Sequence, residues 1–228
     1  MGNLFHEILF RPLFNAVIAV YNFIPGDDFG LAIITFTVIM RLVMLPLTIK
    51  SLTSNKAISD LNPKIKEIRE KYKNDLNQQS AEIMKLYKEK GVNPLSGCFP
   101  LLIQIPILIA LYRVFVASFD PGTLQDLYSF ISRPEVINNI AFGSLDLKAS
   151  NIFLVIISGV GQFFQMKYSS SISSGNKEAD AINKQMLYMF PIMIVIIGWN
   201  FPAGLMLYWI TTTAVSFLEQ YYIRSKYK

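Results

Sequence analysis

The sequence predicts an all-α integral membrane protein, and three observations support this fold class. Hydrophobic residues make up 52% of the 228 residues and charged residues 16%, whereas an ordinary soluble domain carries about 25% charged residues. The apolar residues form long uncharged blocks, which leaves most Lys and Arg in a few connecting segments. Several of these blocks approach the roughly 20 residues that a helix needs to cross a hydrocarbon core. This distribution argues against a soluble enzyme.

The net charge and the residue types exclude further classes of protein. A net charge of +5 could suggest nucleic-acid binding, but the aromatic residues lie mostly in or beside the apolar blocks and not among lysines. The single cysteine, Cys98, cannot form an internal disulfide, and the single histidine, His6, supplies little for metal or nucleophile chemistry. We therefore expect no cofactor and no enzymatic activity.

The first segment, residues 1–28, is predicted to be an interfacial amphipathic helix at the outer surface of the membrane. Polar side chains recur near four-residue intervals and share one face of a helix whose remainder is apolar. The segment lacks the basic start and small-residue cleavage site of a signal peptide, so we expect it to stay attached. We expect His6 at the level of the lipid head groups. The polar face comprises Glu7, Arg11, Asn15 and Asn22.

Five apolar stretches are predicted to span the membrane as a five-helix bundle. The first span, 29–50, contains a 19-residue stretch, 31–49, whose one charge is Arg41. The second and third spans cover 95–118 and 149–166. The uncharged block 185–218 is too long for one crossing, so we divide it near Pro202 into spans four and five.

The basic residues are divided unequally between the two sides that five crossings create. Sixteen of the 21 Lys and Arg residues would lie on one side and three on the other. The positive-inside rule then places the N-terminus outside and the C-terminus in the cytoplasm. The chain thus continues after the first span with a cytoplasmic segment, 51–93. Residues 94–228 hold the other spans, an outer connector at 119–150, an inner connector at 167–184 and a short basic tail.

The cytoplasmic segment 51–93 is predicted to form a hairpin of two amphipathic helices. Apolar residues repeat every three or four positions from Ile58 to Tyr72, are interrupted at 74–75, and resume up to Gly91. Each helix exposes a basic face. This face is either a solvated surface that follows from the positive-inside rule, or a docking surface for anionic head groups or an acidic partner. Its residues are Lys64, Lys66, Arg69, Lys71, Lys73, Lys85 and Lys88.

Arg41 is the main candidate functional residue because it lies near the middle of span one. An Arg at the centre of a lone span costs about 2.5–3.5 kcal/mol on insertion scales, so its side chain should face protein or water. Spans two to five contain no Asp or Glu before Glu219 at the inner end, which leaves no evident carboxylate partner within the membrane. We therefore expect an unpaired Arg41 in a water-filled cavity.

Uncharged polar residues in the spans are candidates for the rest of this cavity. In spans three and five they recur at three or four residues and form one stripe on each helix. Such stripes fit either interhelical hydrogen bonds that hold the bundle together or the lining of a hydrated groove, and we prefer the groove because Arg41 is expected to be unpaired. The candidate groove residues are Arg41, Thr37, Gln104, Ser158, Gln162, Gln165, Tyr208, Thr212 and Ser216.

A set of short motifs resembles the YidC family of membrane protein insertases over nearly the whole chain. No single motif would suffice, but their combination is highly specific. The motifs are FGLAII at 29–34, MRL at 40–42, LPL at 45–47, KEKGVNP at 88–94, GCFP at 97–100, QIP at 104–106, QFFQMK at 162–167, and FPAGL at 201–205 before Tyr208 and Trp209.

The resemblance implies a five-span bundle in a bacterial plasma membrane around a hydrophilic groove that is open to cytoplasm and lipid. Arg41 matches the groove arginine of the family, and the hairpin matches its mobile cytoplasmic region. The implied partners are nascent membrane proteins, the ribosome, the Sec translocon and membrane lipids. The chain has no long basic tail of the kind that some relatives use at the ribosome, which argues against strong autonomous ribosome binding.

The function expected from both lines of reasoning is membrane protein insertion and assistance to folding. Arg41 would attract acidic or polar segments of a substrate into the groove while the apolar segment passes into lipid. No nucleotide-binding motif is found in the sequence, so the energy would come from partitioning, the ribosome or the membrane potential. Two alternatives stay open at this point: a small anion transporter or channel that uses the Arg41 cavity, and a structural scaffold for other membrane complexes.

Overall fold

Helices dominate the structure, a computed structural model that describes residues 2–93, 99–169 and 177–226. The segment around Cys98, part of the predicted inner connector, and the last two residues lie outside these ranges. In chain order, the elements are α1 (Gly2–Phe5), a π-helical turn (His6–Phe10), α2 (Arg11–Phe23), α3 (Phe29–Asp60), α4 (Asn62–Lys71), α5 (Leu76–Glu89), α6 (Phe99–Ala117), a 3₁₀ helix (Pro121–Asp126), β1 (Ile140–Ala141), β2 (Leu145–Asp146), α7 (Ile152–Ser169), α8 (Lys177–Gly198) and α9 (Ala203–Lys226).

The N-terminal helix α2 packs its apolar side into the protein core. Phe14, Val17 and Ile18 are fully buried, and α2 contacts both α3 and α6. Tyr21 is also buried and lies edge-on to Phe29 at the start of α3. Helix α2 lies within the segment 1–28, and its buried apolar residues are covered by other parts of the chain.

The long helix α3 begins at an N-cap and continues well past the predicted end of span one. Asp28 Oδ1 accepts hydrogen bonds from the backbone N–H groups of Gly30 and Leu31, which would otherwise lack a partner in the first turn. The helix continues through Pro46 and ends at Asp60. The hairpin therefore does not begin at 51 as expected, because the segment 51–60 contains neither Pro nor Gly and extends α3.

The hairpin consists of α4 and α5, which contact each other. The chain breaks from α3 at Leu61, where Pro63 in the next turn favours a new helix start. Asp75 caps α5 by accepting a hydrogen bond from the backbone N–H of Gln78. After α5, Gly91 adopts a φ of +64°, a conformation that glycine takes readily.

Helices α3, α7, α8 and α9 form the main packing unit. The most extensive contacts join α3 to α9 and α7 to both α8 and α9. Gly159 permits the close approach of α7 to α8, since a methyl group at this position would lie 2.5 Å from Cγ2 of Val195. The turn between α8 and α9 falls at 199–202, in the region where the sequence predicts a break.

Among the described helices, α3 alone combines the length and the apolar composition of a membrane-crossing helix. Shorter apolar stretches occur in α6 and α8, at Ile103–Ala117 and Lys184–Gly198. The mostly helical fold agrees with the predicted class, apart from a small antiparallel hairpin that pairs Ile140 with Asp146.

Candidate functional site

Arg41 forms a buried ion pair with Glu219. Arg41 lies on α3 and Glu219 lies near the end of α9, 178 residues later in the sequence. The Arg41 side chain is 14% exposed and that of Glu219 is 7% exposed. Burial of either charge alone would be costly, and the pair compensates one charge with the other.

This pair corrects the expectation that Arg41 has no carboxylate partner. That expectation rests on the position of Glu219, which follows the last apolar block at its far end. In the structure, α3 and α9 pack along their lengths, which brings the two side chains into contact. Glu219 is thus a functional candidate that the reasoning from sequence missed.

The ion pair leaves hydrogen-bonding capacity unused. Nε of Arg41 and Oε1 of Glu219 are both buried, and neither has a hydrogen-bond partner among the described residues. A guanidinium can donate five hydrogen bonds and a carboxylate can accept several, so each group retains capacity for another polar ligand. Among the described residues, Nε of Arg41 is therefore an unused buried donor and Oε1 of Glu219 is an unused buried acceptor.

One face of α9 carries four polar residues along the side that includes Glu219. Tyr208, Thr212, Ser216 and Glu219 are spaced by four, four and three residues, so they lie on one face of the helix. Nε2 of Gln104 on α6 donates a hydrogen bond of 2.7 Å to the Tyr208 hydroxyl. This bond connects α6 to the polar face of α9.

A second polar group joins α7 to a different side of α9. Nε1 of Trp209 donates to Oε1 of Gln162 at 3.1 Å, and Nε2 of Gln162 donates to Oε1 of Gln165 at 2.9 Å. Trp209 follows the FPAGL motif, and its indole N–H is the donor that orients Gln162. Gln162 and Gln165, which belong to the candidate groove residues, thus contact each other.

Three candidate hydroxyl groups use their hydrogens within their own helices. Thr37 donates to the Ile33 carbonyl at 2.6 Å, and Ser158 donates to the Leu154 carbonyl at 2.7 Å. Ser216 donates to the Thr212 carbonyl at 2.7 Å. Such bonds satisfy a polar side chain in an apolar environment without a partner from another helix.

A cleft of about 400 Å³ lies between α7 and α9. Ser158 and Gln165 contribute to its lining, but the surface is almost wholly apolar and includes Ile157, Phe164 and Phe217. These two candidate residues therefore border a space that suits apolar groups.

The polar face of the N-terminal helix binds the connector between α6 and α7. Asn15 is 2% exposed and makes three hydrogen bonds. Its Nδ2 donates to the carbonyls of Arg11 and Asp126 at 2.8 and 3.0 Å, and its Oδ1 accepts from the backbone N–H of Tyr128 at 2.6 Å. His6 pairs with the Asp126 carboxylate at 3.3 Å.

The same connector binds the beginning of α3 and the turn between α8 and α9. Oδ2 of Asp28 accepts from the backbone N–H of Phe142 at 2.7 Å. The backbone N–H groups of Ala203 and Gly204 donate to the carbonyls of Ala149 and Leu147. The connector therefore covers one end of the helices, which gives a physical role to a segment for which the sequence suggested none.

Asp146 helps to hold the connector in this conformation. Its Oδ1 accepts hydrogen bonds from the Asn139 side chain at 3.0 Å and from the backbone N–H of Lys148 at 2.9 Å. These hydrogen bonds, that of Asn139 first, favour the charged form and lower the pKa of the Asp146 carboxyl.

The basic residues of the hairpin point mostly to the surface. Lys64, Lys66, Lys71, Lys73, Lys85 and Lys88 are exposed, whereas Arg69 is half-buried. Over the described ranges, no group of three or more His, Cys, Asp or Glu side chains could hold a metal ion.

The fold and the site together define the class of a helical membrane protein with a polar site among apolar helices. Large apolar side chains are exposed on α3, α6, α7, α8 and α9, as expected of surfaces that meet lipid. A buried Arg among such helices is a hypothesis for a functional site.

Comparisons with known proteins identify the family. The 60Kd inner membrane protein family matches residues 19–228. The YidC insertase of Fusobacterium nucleatum is 34% identical over 199 residues, which are 87% of each protein. The insertase MisCA of Bacillus subtilis is 37% identical over 88% of this chain and 72% of its own length. The chain therefore belongs to the YidC-type membrane protein insertase family.

A solved structure agrees with this family assignment. A crystal structure of active YidC insertase with its first transmembrane domain resolved is similar, with a TM-score of 0.62 and 29% sequence identity. The similarity covers 93% of this chain and 46% of the crystallised chain, so the present chain spans about half of that protein.

Proposed function

We propose that this protein inserts nascent membrane proteins into a bacterial plasma membrane and helps them to fold. The observation that carries the proposal is the buried Arg41–Glu219 pair, which places an Arg with an unused donor between α3 and α9 of an insertase-family fold. In this role, Arg41 attracts an acidic or polar substrate segment, while the apolar segment passes into lipid.

The energetic task is to provide hydrogen-bonding partners for a polar segment at membrane depth. Each unsatisfied backbone group in hydrocarbon costs several kcal/mol, so a short polar path lowers the barrier to crossing. Arg41, the Gln104–Tyr208 pair and the Gln162–Gln165 pair supply such groups on four helices. The proposed groove comprises these residues with Thr37, Ser158, Thr212 and Ser216.

The proposed topology has five crossings, formed by α3 and α6–α9, with the N-terminus outside and the C-terminus in the cytoplasm. The exposed apolar side chains of these helices and the positive-inside rule support it. The connector then closes the outer end of the groove. The exposed lysines of α4 and α5 support a cytoplasmic docking surface for anionic head groups or an acidic partner, and the ribosome and Sec translocon are the proposed large partners.

The alternative of a small anion transporter or channel receives no support from these observations. The similar proteins are named insertases.

The test is complementation in cells depleted of their own insertase. Wild type, Arg41→Ala, and the double variant Arg41→Gln with Glu219→Gln are compared by the insertion of a substrate whose translocated tail carries acidic residues. Both variants should reduce insertion by roughly tenfold, equivalent to about 1.4 kcal/mol. The double variant is the control for folding, because it removes the cation without leaving Glu219 as an uncompensated buried charge.

Rescue of insertion to the wild-type level by both variants would show that the charge of Arg41 has no part in insertion. Failure of wild type itself to support insertion of any substrate would contradict the proposed function.

A further inference from the structure

Glu219 neutralises the residue that is proposed to attract acidic substrates. Both side chains of the pair are largely buried, so the guanidinium interacts with this carboxylate with little screening by solvent. An incoming acidic residue does not meet a free cation. It meets a cation that already has an anionic partner on α9.

We propose that Glu219 is a resident counter-ion that competes with acidic substrate residues for Arg41, and thereby sets how strongly the site prefers acidic segments. This inference rests on the proposed function and adds to it a specificity-determining residue. Glu219 need not contact the substrate. It acts through the electrostatic field at Arg41.

The geometry provides a position for the competing carboxylate. Nε of Arg41 is buried and has no hydrogen-bond partner among the described residues. A substrate carboxylate could accept a hydrogen bond there, since the guanidinium donates in several directions within its plane. Two carboxylates would then share one cation, and their mutual repulsion disfavours the second while Glu219 keeps its charge.

Displacement of Glu219 places a further demand on the substrate. Oε1 of Glu219 already has no partner among the described residues, and loss of Arg41 would leave both carboxylate oxygens buried without a donor. A carboxylate in this position needs hydrogen-bond donors, which free backbone N–H groups can supply. The site thus favours an unfolded polar segment that brings both an acidic side chain and unpaired N–H groups.

A comparison of two substrates in two proteins tests the inference. The substrates are identical except for Asp→Asn at one position of the translocated tail. They are inserted into membranes that contain the wild-type protein or its Glu219→Gln variant, and the ratio of insertion of the Asp form to that of the Asn form is measured. Glu219→Gln should raise this ratio by roughly fivefold or more. A roughly fivefold change is at the lower end of the factors by which one bound ligand typically alters the affinity for another.

Glu135→Gln is the matched control, because it makes the same change in net charge at an exposed position of the connector. This variant should keep the wild-type ratio. The double variant Arg41→Glu with Glu219→Arg retains an ion pair of opposite direction, and should lose the preference for the Asp form. This second variant provides a test even if Glu219→Gln does not accumulate in the membrane.

An unchanged ratio in Glu219→Gln, or a persistent Asp preference in the reversed pair, would overturn the inference. In either case, normal insertion by wild type would leave the proposed insertase function standing. Absence of insertion by wild type would instead contradict the proposed function itself.

Discussion

At the scale of single residues, Asn15 shows how a polar side chain can stabilise a helix that is otherwise apolar. The sequence suggested that the polar face of the first helix meets the lipid head groups. In the structure, Asn15 is buried and bonds to two carbonyls and one backbone N–H group. It therefore connects the N-terminal helix to the α6–α7 connector.

Replacement of Asn15 by Leu should destabilise the protein by about 2–4 kcal/mol. Leu is similar in size but forms no hydrogen bonds, so the backbone groups that Asn15 binds would stay buried without partners. The measurement is the apparent Tm of the purified protein in detergent. Asn22→Ala is the control, since Asn22 is exposed and donates a single hydrogen bond within the described residues, to the Ser132 carbonyl. Equal loss of Tm in both variants would contradict the role assigned to Asn15.

The residues of the candidate site differ in how far the sequence could predict them. Arg41 was identifiable because one charge in an apolar block is costly wherever the helix packs. The pairing of Arg41 with Glu219 could not be predicted, because this contact depends on how α3 and α9 are rotated and shifted against each other. The spacing of Tyr208, Thr212, Ser216 and Glu219 along one helical face is the signal that could have suggested Glu219.

At the scale of secondary structure elements, the breaks between helices were easier to predict from the sequence than the lengths of the helices. The turn between α8 and α9 contains Pro202, and α4 begins at Asn62 next to Pro63, both of which are strong local signals. The extension of α3 to Asp60 was missed because the amphipathic repeat that begins at Ile58 resembled a new helix. The repeat in fact crosses a helix boundary.

The contact between α3 and β1 requires a glycine at position 30. A methyl group at Gly30 would lie 2.5 Å from Cβ of Ala141 and 3.1 Å from the Phe142 ring. Gly30→Ala should therefore destabilise the protein by about 1–3 kcal/mol, as expected of an overpacked contact. Thermal unfolding in detergent measures the change.

Gly161→Ala provides the matched control within a helix. A methyl group at Gly161 would meet Cγ2 of Thr213 at 3.7 Å, an ordinary contact distance. This variant should be neutral or slightly stabilising, since Ala has a higher helix propensity than Gly. A larger loss of Tm in Gly161→Ala than in Gly30→Ala would contradict the packing argument.

At the scale of the whole molecule, α3 separates the connector from the hairpin. Its 32 residues correspond to a length of about 48 Å, which exceeds a hydrocarbon core of about 30 Å. The connector binds its first turn, and the hairpin follows its last residue. The mostly helical fold could be predicted from the apolar blocks, but the connector contacts could not, because they join short polar segments that are distant in sequence.

The proposed topology predicts opposite labelling of these two ends. The single natural cysteine is first replaced by Cys98→Ser. In cells whose plasma membrane is intact and whose outer face is accessible to the reagent, Glu135→Cys in the connector should then react with a membrane-impermeant maleimide. Ser80→Cys in α5 should react only after permeabilisation. Both positions are exposed, so burial does not limit the reaction. The opposite pattern would reverse the orientation assigned from the basic residues.

The uneven burial of α3 has a mechanical consequence. Its buried residues lie between Phe29 and Thr37, with Ser51 as the one exception further along the described helix. Pro46 removes a backbone hydrogen bond between the anchored half and the half that carries the hairpin. A 10° swing about Pro46 would move Asp60, about 21 Å away, by about 4 Å and leave Arg41 in place. Such a bend would change the direction of the hairpin, while the Arg41–Glu219 pair would keep its packing between α3 and α9.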